Sequence, residues 1–96
     1  MDAITLRNRL LVAATTWRET SGEPLPKMPA GDPEEQLQAF ELTLVDMLSR
    51  TATPQNAAEV ADRTWGLVHD RPDDDPVKQR VVACHEELMR LRRGGP

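Results

Sequence analysis

Hydrophobic residues recur at alternating spacings of three and four along most of the chain, which is the period of one face of an α-helix. The pattern divides into four segments of similar length, at about 3–20, 33–50, 54–69 and 76–93. At 1.5 Å per residue each segment would span about 24–27 Å. No run of strict apolar–polar alternation is long enough to predict a strand. The sequence therefore predicts four helices of matched length.

One apolar stripe on each segment is the predicted core. The first two stripes are Ala3, Leu6, Leu10, Ala13 and Trp17, and then Leu37, Phe40, Leu44, Met47 and Leu48. The last two are Ala57, Val60, Ala61, Leu67 and Val68, and then Val77, Val81, Cys84, Leu88 and Leu91. A helix with one such stripe buries that face against its neighbours.

Three of the four predicted helices begin with a capping residue followed by proline. The pairs are Asp32-Pro33, Thr53-Pro54 and Asp75-Pro76. An oxygen-bearing side chain at the N-cap accepts a hydrogen bond from a free backbone N–H, and proline at the first helical position has no N–H to satisfy. These pairs predict where helices two, three and four start.

The predicted architecture is all-α, a small antiparallel four-helix bundle forming a single domain over residues 1–96. Short connections join antiparallel neighbours in such bundles. The first connection, at 21–32, is rich in proline and is expected to run extended, with Leu25 and Met28 against the core. Residues 94–96, Gly-Gly-Pro, are expected to end the last helix and fray.

Composition narrows the possible partners. The formal net charge is −4 and the chain has only three aromatic residues, so a nucleic-acid partner that reads a basic or stacking surface is unlikely on these grounds. No apolar run approaches the 18–20 residues or so that a membrane span needs. The first residues lack the pattern of a secretory signal, which predicts a cytoplasmic protein.

The reactive side chains have structural explanations, so we expect no enzyme activity, no cofactor and no metal site. Cys84 lies in the predicted core stripe, and a Cys84–His85 pair cannot face each other because adjacent helical residues point about 100° apart. His69 and Asp75 lie at predicted helix ends, where a cation and an anion respectively favour the helix dipole.

Two other function classes stay open. Carboxylates one turn apart, Asp32 with Glu35 and Glu59 with Asp62, could hold Mg²⁺, as in the all-α nucleotide pyrophosphohydrolases. Alternatively, the third and fourth segments could form a helix-turn-helix DNA-binding regulator with Lys78 near the start of its recognition helix. The long turn and the aspartates before that helix oppose the second alternative.

The interpretation that we favour is a non-catalytic helical module that binds another protein, as an adaptor, inhibitor or small regulatory subunit, or that forms a homodimer. Large apolar residues lie seven apart outside the core stripes of the first and fourth helices. They either widen the buried arc or form an interface with polar residues at its edge. The predicted partner-binding residues are Val82, Met89, Lys78, His85, Glu86, Ile4 and Leu11.

Overall fold

The computed structural model describes residues 1–27 and 31–94, and these form four α-helices and no strand. The helices are α1 (Ala3–Ser21), α2 (Pro33–Arg50), α3 (Ala57–Val68) and α4 (Pro76–Arg92). The predicted all-α class is confirmed. No helix in the described part of the chain combines the length and the apolar character needed to cross a bilayer.

Two of the three cap-and-proline pairs start helices as predicted. Asp32 Oδ2 accepts hydrogen bonds from the backbone N–H groups of Glu34 at 3.1 Å and Glu35 at 3.4 Å. Asp75 Oδ1 accepts from those of Val77 at 2.9 Å and Lys78 at 3.1 Å. In both helices the proline therefore occupies the first turn with its missing donor where no donor is needed.

The predicted start of the third helix at Pro54 is wrong, because α3 begins at Ala57. Thr53 and Asn56 instead close a turn, with Asn56 N–H donating to the Thr53 carbonyl at 3.1 Å and Thr53 N–H donating to Asn56 Oδ1 at 2.6 Å. Proline fits the second position of a β-turn as well as the first position of a helix. The Thr53-Pro54 pair therefore starts a turn that leads into α3.

The ends of α1 are set by Asp2 and Gly22. The Asp2 carboxylate accepts a hydrogen bond of 2.7 Å from Thr5 N–H, and this bond holds the pKa of Asp2 below its ordinary value. Gly22 ends the helix with φ 68°, and its N–H donates to the Arg18 carbonyl at 3.2 Å. A left-handed residue after the last turn is the usual way to satisfy terminal carbonyls, and glycine adopts it without steric cost.

The chain divides into two compact units, Met1–Leu44 and Val45–Pro96, with the boundary inside α2. Each unit has its own contacts and is described separately below. A single domain over residues 1–96 and antiparallel packing of all four helices stay predictions.

In the first unit, two side chains of α1 contact the first part of α2. Arg9 and Trp17, two turns apart on α1, reach the neighbouring residues Glu41 and Phe40 on α2. The Trp17 and Phe40 rings lie 5.9 Å apart between centroids at 53°, a tilted arrangement that is favourable for aromatic pairs. Ala13, which lies between Arg9 and Trp17 along α1, is buried as well.

The connection after α1 folds back onto this unit through Trp17, whose Nε1 donates a hydrogen bond of 3.1 Å to the Pro24 carbonyl. Residues 23–27 are non-helical, as predicted. The prediction that Leu25 packs against the core is wrong, since its side chain is exposed. Met28 lies outside the described residues, as do Gly95 and Pro96 of the predicted frayed tail.

In the second unit, α3 and α4 form an antiparallel hairpin joined by a turn at residues 69–75. The antiparallel direction follows from the short turn and from Trp65, near the end of α3, lying beside Lys78, near the start of α4. The part of α2 in this unit is joined to α4 by a 2.8 Å bond from Arg80 Nε to Asp46 Oδ1. This bond raises the pKa of Arg80.

The predicted core is buried in α2, α3 and α4, with only Met47, Leu67 and Leu91 half-buried. Val45 is fully buried although the sequence analysis did not assign it to the core. The prediction fails in the first turns of α1, where the predicted core residues Ala3 and Leu10 are exposed and Leu6 is only partly covered. The first unit therefore buries α1 mainly through Ala13 and Trp17.

Candidate functional site

A hollow of about 400 Å³ lies on the outer surface of the α3–α4 hairpin. We call it the hairpin hollow. Asp62 and Trp65 line it from α3, and Val82, His85 and Glu86 line it from α4. Its centre is apolar, and among the described residues that line it there are two carboxylates and neither lysine nor arginine.

The helical repeat places these residues beside the buried stripes. On α3, Asp62 and Trp65 each follow directly after a buried residue, Ala61 and Thr64. One residue is a rotation of about 100°, which moves a side chain from the buried face to its border. Val82 and His85 follow Val81 and Cys84 of α4 in the same way, so the two borders meet along the outside of the hairpin.

Trp65 is the largest side chain in the hairpin hollow and is 42% exposed. The Nζ atom of Lys78 lies 5.6 Å from the centre of its ring, within the range of a cation–π contact. Lys78 Nζ is itself held by the Arg71 carbonyl at 2.7 Å and by Asp73 Oδ1 at 3.1 Å. Lys78, at the start of α4, is therefore held in place against one side of the Trp65 indole ring.

A second hollow adjoins the first at Val82. It is lined by Asp73, Lys78, Gln79 and Val82 and has a volume of about 380 Å³. Val82 is 52% exposed and lines both hollows. An apolar group placed on Val82 would therefore reach both.

The structure brings together four of the seven predicted partner-binding residues. Lys78, Val82, His85 and Glu86 line the two adjoining hollows. Met89 is half-buried on the same helix. Ile4 and Leu11 belong to the first unit, where both side chains are exposed on α1, at 74% and 55%.

Trp65 is not among the residues predicted from the sequence, and Asp62 is predicted there only as part of a metal-binding alternative. A signal for both residues was present, because Asp62, Trp65 and His69 repeat at spacings of three and four next to the core stripe of α3. A search for apolar positions does not select this row, because its residues are mixed in character. The sequence of α3 alone does not show that the row lies opposite Val82 and His85 of α4.

The acidic residues of the hydrolase alternative are placed as follows. Asp32 caps α2, while Glu59 and Asp62 are exposed on α3. In the part of the chain that the structure describes, His, Cys, Asp and Glu form no group of three or more placed to hold a metal ion.

For the helix-turn-helix alternative, Lys78 would have to reach a phosphate. Its side chain is only 13% exposed and bonds within its own chain to Asp73 and to the Arg71 carbonyl. Asp73 is fully exposed at the same end of α4, and its charge would repel a phosphate backbone.

Comparison of the chain with protein-family models, with curated proteins and with solved structures found no match.

Proposed function

We propose that this chain is a helical protein–protein interaction module without catalytic activity, of the adaptor, inhibitor or small regulatory type, and that the hairpin hollow is its binding surface. The cytoplasmic location expected from the sequence is part of this proposal. The proposed binding surface is supported above all by Trp65 and Val82, which are exposed side by side on a hairpin whose core is already filled.

Trp65 and Val82 leave apolar area exposed to water on the hairpin. Each helix already buries a complete stripe of side chains, so the core does not need Trp65 or Val82. On α3 this stripe includes Val60, Ala61, Thr64 and Val68. Complete burial of an exposed large apolar side chain contributes about 1.5–3 kcal/mol. Covering the exposed parts of Trp65 and Val82, which are 42% and 52% exposed, contributes a share of that. Tryptophan is also among the residues that most often supply the binding energy of interfaces.

Polar groups around the hollow complete an interface of ordinary composition. Asp62, His85 and Glu86 border the apolar centre, as the polar rim of a protein interface does. The contact with Lys78 restricts the Trp65 ring before any partner arrives. A side chain that is already ordered loses less conformational entropy on binding.

A photo-crosslinking amino acid at position 82 tests the proposal in cells that express the chain naturally. We expect a discrete crosslinked protein product from position 82, identified by mass spectrometry. The matched control places the same amino acid at Glu87, which is also exposed on α4 but points away from Val82 by about 140° around the helix.

The position-87 control should give little of the same product. Circular dichroism of both purified variants checks that each is folded. Equal crosslinking at positions 82 and 87, or none at position 82, would show that the hairpin hollow is not a binding surface.

A further inference from the structure

The exposed apolar side chains of the molecule fall into two groups of opposite electrostatic character. Most of those in the described residues belong to the start of the chain, where Met1, Ile4, Leu10, Leu11 and Val12 are all exposed. From Ala3 to Arg18, α1 has three arginines and no acidic residue. The hairpin hollow is the reverse, an apolar centre with Asp62 and Glu86 beside it.

We infer that the partner received by the hairpin hollow is α1 of a second copy of this chain. This inference rests on the proposed binding function of the hollow and names its occupant. Such a contact joins two copies through two different surfaces, the outer face of α1 on one copy and the hairpin hollow on the other.

The outer face of α1 has the pattern of a helix that docks in a groove. Ile4 and Leu11 lie seven residues apart and within about 20° of each other around the helix. Arg7 and Arg18 lie along one edge of the same face, and both are exposed. Apolar anchors at this spacing are typical of helices recognised by hydrophobic grooves.

The receiving surface has the same spacing. Val82 and Met89 on α4 are also seven residues apart, a distance of about 10.5 Å along the helix. With the two helices antiparallel, Leu11 can therefore contact Val82 while Ile4 contacts Met89, as in pairs of helices with heptad spacing.

Charge selects between possible occupants of the hollow. With Ile4 and Leu11 against α4, the arginine edge of α1 can face the carboxylates of Asp62 or Glu86. Opposite charges at the rim of an interface favour the correct partner and penalise partners of like charge. The face of α1 thus matches the hollow in its anchors, their spacing and its charge.

Disulfide trapping between two single-cysteine variants tests the assignment directly. Leu11→Cys and Val82→Cys are made separately in a Cys84→Ser background, with tags of different size, and are mixed under mild oxidation. Because each chain has one thiol, a bond between positions 11 and 82 joins two copies. We expect this mixed dimer to form at least about tenfold faster than the dimer of Leu11→Cys with Glu87→Cys.

Charge reversal gives a second test with the native anchors in place. Arg7→Glu and Glu86→Arg should each weaken self-association by about tenfold, measured as the concentration dependence of mass by light scattering. A mixture of the two variants should regain it, since the acidic α1 of one then meets the basic hollow of the other. Both substitutions are at exposed positions, and circular dichroism confirms that the variants fold.

A wild-type chain that stays monomeric at all concentrations, or equal trapping rates at positions 82 and 87, would overturn the second-copy assignment. The proposed function is tested separately, because crosslinking of a different protein through position 82 would still support it.

Discussion

At the scale of single residues, the carboxylate of Glu41 is the most unusual feature, since the residue is 3% exposed on the core face of α2. Burying a charged carboxylate is costly unless it is paired and hydrogen-bonded. Arg9 provides this by a two-fold contact, with its Nε 3.3 Å from Glu41 Oε2 and its Nη2 bonded to Oε1. The apolar pattern of α2 alone gave no reason to place a carboxylate there, because the stripe was chosen from apolar residues and Arg9 lies off the stripe of α1.

We expect Arg9→Met to destabilise the fold by about 1.5–3 kcal/mol, because it removes an arginine that hydrogen-bonds to a buried carboxylate. Urea denaturation followed by circular dichroism measures the change. The double variant Arg9→Met/Glu41→Leu should recover most of the loss, since apolar residues of similar size replace a buried ion pair at little cost.

Arg9→Lys serves as the control that keeps the charge but loses the planar fork, and its stability should be intermediate. If Arg9→Met were as stable as the wild type, the ion pair would have no part in holding α1 to α2.

At the scale of secondary structure elements, the local signals in the sequence located helices better than they located helix ends. Asp32-Pro33 and Asp75-Pro76 start α2 and α4 as predicted, whereas Thr53-Pro54 starts a turn. The difference arises from Asn56, whose side chain bonds to Thr53 and draws these residues out of the helix. Asn and Thr compete for backbone groups in this way because their short polar side chains reach them.

Two glycines allow the same substitution to be tested with opposite expectations. Gly22→Ala should destabilise the protein by about 1 kcal/mol, because alanine is strained at the left-handed φ of 68° that ends α1. Gly66→Ala should stabilise it by about 0.5–1 kcal/mol, because Gly66 lies inside α3 and an added Cβ meets no atom within 4 Å. Thermal unfolding of both variants would show the difference as shifts of Tm in opposite directions. Shifts of the same sign would contradict the backbone argument.

At the scale of the whole molecule, the sequence predicted which helical faces are buried but not what lies across from them. The 4-3-4-3 spacing of α4 correctly predicted that Val77, Val81, Cys84 and Leu88 are buried. Such an apolar stripe packs against a neighbouring helix, and the prediction does not depend on which helix that is. The hairpin hollow needed the pairing of α3 with α4, which fixes that Trp65 lies near Val82 and Lys78. A periodic pattern carries no information about which two borders meet, so only the α4 residues of the hairpin hollow, Val82, His85 and Glu86, could be predicted.

The thiol of Cys84 measures how often this core opens. It is free and buried, so a reagent reaches the sulfur only when the surrounding side chains move apart. We expect a thiol reagent to modify the native protein far more slowly than the protein in urea. Moving the thiol by one residue, in Ala83→Cys/Cys84→Ser, should make it react rapidly in the folded state, since Ala83 is exposed. If the native wild-type protein and the Ala83→Cys/Cys84→Ser variant reacted at similar rates, the buried stripe of α4 would be open to solvent.

The placement of the two tryptophans has an optical consequence. The chain has no tyrosine, so ultraviolet emission comes almost entirely from Trp17 in the first unit and Trp65 in the second. Trp17 is buried against Phe40 and emits from an apolar surrounding, while Trp65 faces water beside the ammonium group of Lys78. Acrylamide, an uncharged quencher dissolved in the water, therefore reaches Trp65 more readily than Trp17. A Trp17→Phe chain would report occupancy of the hairpin hollow as loss of quenching, and a Trp65→Phe chain would report the integrity of the first unit, each without an added dye.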